Sequence, residues 1–147
     1  MSLKERLSKD LKETMKNKDK LRKNVIILIQ SDIKQLEVDK RVELEEQDII
    51  EIISRQLKQR KDALEEFRKA ERKDLIDQTE EEIHYLLQYL PEQLSEDEIT
   101  NIVKETISEI GANSLKDMGK VMAAVIPKVK GKADGKIVNQ VVKQQLQ

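Results

Sequence analysis

The chain contains no cysteine, which excludes disulfides, thiolate-bound zinc and a thiol nucleophile, and a reducing compartment suits it. Phe67, Tyr85 and Tyr89 are its only aromatic residues, so packing falls to Ile, Leu, Val and Met, and there is no platform on which splayed bases could stack. Four glycines and two prolines in 147 residues are too few for the turns of a hairpin-rich β fold. No apolar run, Val25 to Ile29 included, approaches the roughly 20 residues that span a bilayer. The opening MSLKERLSKDLKETM alternates acids and bases, unlike a secretory or transit segment, and a cytoplasmic location is expected.

What the chain does have is charge, at 39% of residues against 37% hydrophobic, a balance that suits slender amphipathic helices. Leu3, Leu7, Leu11 and Met15 recur every four residues and form one stripe of a first helix. A second carries Leu21, Val25, Leu28, Ile29, Ile33 and Leu36, with Ile26 and Ile27 on its flanks, and is expected to lie centrally. A third runs from about Glu46 to Ala70, its apolar seam interrupted at Arg60 and Lys61; a fourth begins near Arg72 and is stopped by Pro91. Ser95 with Glu98 reads as a capping box opening a fifth helix, which Gly111 ends. Ser114, with Asp117 at N3, opens a sixth that ends at Pro127, and Asp134 caps a seventh. The expectation is an all-α protein, with a long-helix front of four helices over residues 1–94 and a three-helix tail over 95–147. The short linker QYLPEQLSED permits hinging.

Acids and bases nearly cancel over the chain, yet they are segregated. Ser95 to Leu115 carries a net charge of −4, the segment from Lys116 onward +5, and the first 23 residues another +5. Lysines around a glycine-containing loop that leads into a helix suit a polyphosphate: the ammonium groups neutralise it and the glycines let it approach the backbone. The alternative for KGKADG is a solvated turn whose Gly131 and Gly135 relieve backbone strain. An Asp134 carboxylate at the N-cap would also compete with an incoming anion.

The run Met118-Gly119-Lys120-Val121-Met122, followed by Pro127-Lys128, Lys130-Gly131-Lys132-Ala133-Asp134-Gly135 and Val138-Asn139, resembles the signature of the GatB/YqeY family. Tyr89 to Ser95, Gln59 to Ala63 and Lys69-Ala70 are similar to stand-alone YqeY-like proteins, with Ala123 and Lys132 standing where glycine and arginine are common. The resemblance implies a two-part helical protein whose tail is similar to the C-terminal domain of the B subunit of glutamine-dependent aminoacyl-tRNA amidotransferase. That domain binds the outer corner of tRNA. The family description also implies a carbon–nitrogen ligase with glutamine as amide donor, but this chain has no cysteine, no glycine-rich phosphate loop of the P-loop type and no nucleophile turn. Its one histidine, His84, has no spaced partner.

The expectation is therefore a non-catalytic tRNA-binding accessory protein, without cofactor, metal or catalytic residue. Lys120, Lys128, Lys130, Lys132 and Lys136 would contact phosphates, Gly131 and Gly135 would allow close approach, and Asn139 would hydrogen-bond. With roughly five phosphates neutralised at about 0.9 each, the slope of log affinity against log salt would be near −4. An aminoacyl-tRNA synthetase or amidotransferase is the expected protein partner, with neither membrane nor DNA. The rival readings are a protein-interaction adaptor, in which Arg60 and Lys61 set specificity rather than forming an internal salt link, and a small enzyme.

Overall fold

The computed structural model describes all 147 residues, as seven α-helices with no strand. They form two compact units, Met1–Leu90 and Pro91–Gln147. The first unit holds α1 (Leu3–Asn17), α2 (Lys20–Lys40), α3 (Glu46–Lys69) and α4 (Lys73–Leu87). The helix α2 packs against α1, α3 and α4 and is the central one, as its apolar richness suggested. Val25, Ile26, Ile29 and Ile33 of α2 are buried, whereas Ile27 and Leu28 remain exposed.

Local chemistry sets the ends of these helices. Ser2 and Glu5 form a capping box at the start of α1, and the Asp19 carboxylate accepts from the Arg22 N–H at the start of α2. Lys18 and Arg41, at φ 57° and 55°, close α1 and α2 in the left-handed region. That conformation costs a non-glycine residue roughly 1–2 kcal/mol, which the packing of the flanking helices must offset. After Leu87, α4 tightens through Gln88 N–H to Tyr85 C=O, Tyr89 N–H to Leu86 C=O and Leu90 N–H to Leu87 C=O, and stops before Pro91.

Polar links then tie the unit together. The Tyr89 hydroxyl donates to Asp10 Oδ2 at 2.5 Å, and Arg22 reaches the same carboxylate at 3.6 Å. Burial and Asp10 raise the Tyr89 pKa, so the phenol stays a donor. Lys4 Nζ lies 2.6 Å from Glu37 Oε2, and Glu37 also accepts from the Leu44 N–H. Those bonds raise the Lys4 pKa and lower that of Glu37. At the break in the α3 seam, Arg60 Nε meets Glu82 Oε2 of α4 at 3.2 Å, so the interruption is an internal ion pair.

The second unit holds α5 (Glu96–Ile110), α6 (Met118–Val129) and α7 (Gly135–Leu146), each packed on the other two around Val103, Val121, Val125, Val138 and Val142. Ser95 and Glu98 make the expected capping box, which lowers the Glu98 pKa, and Gly111 closes α5 at φ 69°. Two expectations need correction. Ser114 makes no side-chain cap; Leu115–Asp117 is a 3₁₀ turn, and Asp117 accepts from the Asn113 N–H at 3.1 Å, so α6 begins at Met118. Pro127 does not end α6, which continues to Val129. An interior proline costs about 3 kcal/mol or more. Here it stands in the exposed last turn, where burial of Val129, worth about 1.5–3 kcal/mol, offsets part of the loss.

Candidate nucleic-acid interface

The lysine-rich loop between α6 and α7 is fastened from behind by the segment that opens the unit. Gln93 Nε2 donates to Gly131 C=O at 2.8 Å and to Pro91 C=O at 3.1 Å, and the Leu94 N–H donates to Lys132 C=O at 2.8 Å. Within the loop the Lys132 N–H reaches Val129 C=O at 2.8 Å. Gly131 has φ 75°, a conformation that disfavours a side chain. These bonds hold the loop in one shape, so the charges it carries are presented by a preset backbone.

Asp134 caps α7 by accepting from the Lys136 N–H at 2.9 Å. That amide is therefore already satisfied, and an anion at the loop would rely on ammonium groups rather than on this donor. Gly135, the first residue of α7, is exposed without a positive φ, and a Cβ there would meet nothing within 4 Å. The solvated-turn reading thus accounts for Gly131 but not for Gly135, where no strain requires glycine.

The expected contact residues fall into three groups. Lys130, Gly131, Lys132, Gly135 and Lys136 are contiguous through the loop and the first turn of α7, and Asn139 follows Lys136 by three residues on the same exposed helix face. Lys128 is turned to α5, its Nζ 2.9 Å from Thr106 Oγ1 and 3.1 Å from Glu109 Oε2. Lys120 is exposed in the first turn of α6, ten residues before Lys130 and so about 13–15 Å from the loop along the axis. The structure brings the loop residues together, engages Lys128 internally and sets Lys120 apart.

Sequence reasoning passed over Gln93 and Thr106. Gln93 stands in the quoted Tyr89–Ser95 run, so a signal was present for it. Thr106 offers none, because its part depends on α5 meeting the end of α6. Lys116 and Lys143 add exposed positive charge to the unit. His84, on α4, is exposed, with Nε2 3.2 Å from Gln88 Nε2 and its ring beside Tyr85.

Comparison with known proteins gives this geometry a context. A family model described as Yqey-like protein matches residues 4–146. Two relatives are named "Altered inheritance of mitochondria protein 41, mitochondrial". One, from Lachancea thermotolerans, is 39% identical over 71% of this chain and 57% of its own length; the other, from Pyrenophora tritici-repentis, is 30% identical over 87% and 71%. The chain thus spans little more than half of the first of these. A shorter similarity, 38% over 58 residues, is to one component of the glutamyl-tRNA(Gln) amidotransferase of Thermococcus sibiricus, covering 37% of this chain and 9% of that protein. With a family model spanning nearly its whole length, the chain belongs to the YqeY-like family.

Proposed function

We propose that this protein is a tRNA-binding accessory factor whose second unit docks on the backbone of folded tRNA through the loop at 130–136. The observation that carries the proposal is a loop rich in lysine, fixed by Gln93 and Leu94 and followed by a glycine its own fold does not require. The similarity to a component of a tRNA-dependent amidotransferase supports the choice of ligand. Folded tRNA presents phosphates in a fixed three-dimensional arrangement that a rigid helical unit can meet without stacking on bases.

The role is binding rather than catalysis. A carbon–nitrogen ligase needs groups that release ammonia and activate an acceptor, and the candidate interface offers ammonium groups, one amide side chain and backbone. A synthetase or amidotransferase is the protein partner in this proposal, and chemistry at the tRNA would be done there. A cytoplasmic site of action remains our reading of the composition; the two fungal relatives carry mitochondrial names, and no helix here is long and apolar enough to cross a membrane. The adaptor reading keeps one supporting observation, the exposed Ile27 and Leu28 of α2, while Arg60 no longer supports it because it pairs with Glu82.

Binding of bulk tRNA to the intact chain, compared with the Lys130→Glu/Lys132→Glu variant, tests the proposal. Affinity should fall at least tenfold in the variant. Equal binding by the two proteins would remove the loop from the account, and recovery of a synthetase from nuclease-treated extract by both would favour the adaptor.

A further inference from the structure

The first 23 residues carry nine bases and four acids, and the structure disposes of the two signs differently. Every acid is occupied within the unit. Glu5 closes the capping box with Ser2; Asp10 holds Tyr89 and Arg22; Glu13 faces Arg22 at 3.6 Å; Asp19 caps α2. Three of the bases are likewise engaged: Lys4 with Glu37, Arg22 with Asp10 and Glu13, and Arg6 with the Gln88 C=O and the Tyr89 ring. The other six, Lys9, Lys12, Lys16, Lys18, Lys20 and Lys23, form no ion pair within the chain, and all but the half-buried Lys23 are exposed.

Lys9, Lys12 and Lys16 are spaced three and four apart, which puts them on one side of α1, roughly opposite the buried Leu3 and Leu7. At about 1.5 Å per residue they span about 10 Å along the axis, and Lys18 and Lys20 continue the positive charge through the turn into α2. Beside this row an open depression of about 390 Å³ is lined by Lys4, Glu5, Ser8, Lys9 and Lys12. Ser8 is exposed there, between two turns bearing lysine, and supplies a hydroxyl donor.

We propose that this face of α1 is a second docking surface for a polyanion, and that its ligand is a duplex-like nucleic-acid backbone. Unpaired ammonium groups in a row match phosphates in a row, and release of condensed counterions drives the association. An anionic bilayer fits less well: a helix that binds at a membrane surface needs a free apolar face, and Leu3 and Leu7 are already buried in the unit's core. The ligand is of the class proposed for the loop at 130–136, but none of that loop's residues takes part here.

The test measures binding of the full chain to a folded RNA with a duplex stem, from 50 to 200 mM salt, for three proteins: wild type, Lys9→Gln/Lys12→Gln/Lys16→Gln, and Lys120→Gln/Lys132→Gln. Because the α1 lysines have no partner in the fold, the first variant should keep the wild-type circular dichroism and melting curve. Removing three phosphate contacts should make its salt slope shallower by about 2.7, so that across this range it loses about 40-fold less affinity than wild type. An unchanged slope in that variant overturns the inference whatever the second variant does. A changed slope there with none in the second variant upholds α1 and removes Lys120 and Lys132 from the binding. Loss of binding to phosphatidylserine vesicles in the α1 variant, with its RNA slope unchanged, would overturn the inference in favour of a lipid surface.

Discussion

The two units use charge in opposite ways. In Met1–Leu90, carboxylates and cations join separate helices: Lys4 to Glu37, Arg22 to Asp10, Arg60 to Glu82, with the Tyr89 hydroxyl added to Asp10. In Pro91–Gln147 the three helices meet mainly through valines, and Lys128 to Glu109 is an ion pair that crosses between helices there. Charge in the first unit is thus partly architectural, while Lys9, Lys12 and Lys16 on α1 stand outside its ion pairs. The core of the second unit is built of apolar side chains contributed by all three helices.

Substitutions that remove single polar groups would sharpen this contrast, and the largest effect should fall in the first unit. Tyr89→Phe keeps the buried ring but strips Asp10 of its hydroxyl donor, and should destabilise the protein by about 1–3 kcal/mol in urea titrations. A loss too small to measure would mean that the polar links of this unit are ornaments on an apolar core. Next comes Ser95→Ala, which removes the α5 cap and should cost about 1 kcal/mol. The same capping box carries a pH signature. Glu98 has a folded pKa below its ordinary value of 4.5, so its contribution is fully present above about pH 4.5 and fades as pH falls through the depressed value. Acid titration of wild type against Glu98→Gln, which replaces the titrating acceptor of the Ser95 N–H with a neutral one, should show the two stabilities converging as pH falls below about 4.5, and parallel curves would contradict the assignment. Smallest is Lys128→Gln: the ion pair is partly exposed, so melting should change by no more than about 1 kcal/mol. A larger loss would place charge in the architecture of the second unit too and erase the contrast.

Most of the helical plan was legible because it rests on local patterns. Leu3, Leu7 and Leu11 announce α1 by period, and Ser95 with Glu98, Gly111 and Asp134 mark helix ends by short-range chemistry. Pro127 misled because its effect was decided by a tertiary term, the burial of Val129. Ser114 misled for a related reason: Asp117 turned back to the Asn113 amide, so the local alternative to helix won for one turn. The candidate interface was legible only as a list of like charges. Which of them are engaged inside the fold depends on partners distant in sequence, as Thr106 and Glu109 are from Lys128. No window of sequence contains both members of such a pair, so the distinction between an engaged cation and an available one needed the structure.

The central claim is that folded RNA docks on the loop that Gln93 and Leu94 hold in place. Backbone amide resonances followed through a titration with unlabelled tRNA test it most directly. Within the second unit shifts should concentrate on Lys130 to Ile137, with the acidic helix α5 left nearly unmoved. Saturable binding that leaves the amides of Lys130 to Ile137 at their free positions would contradict the account.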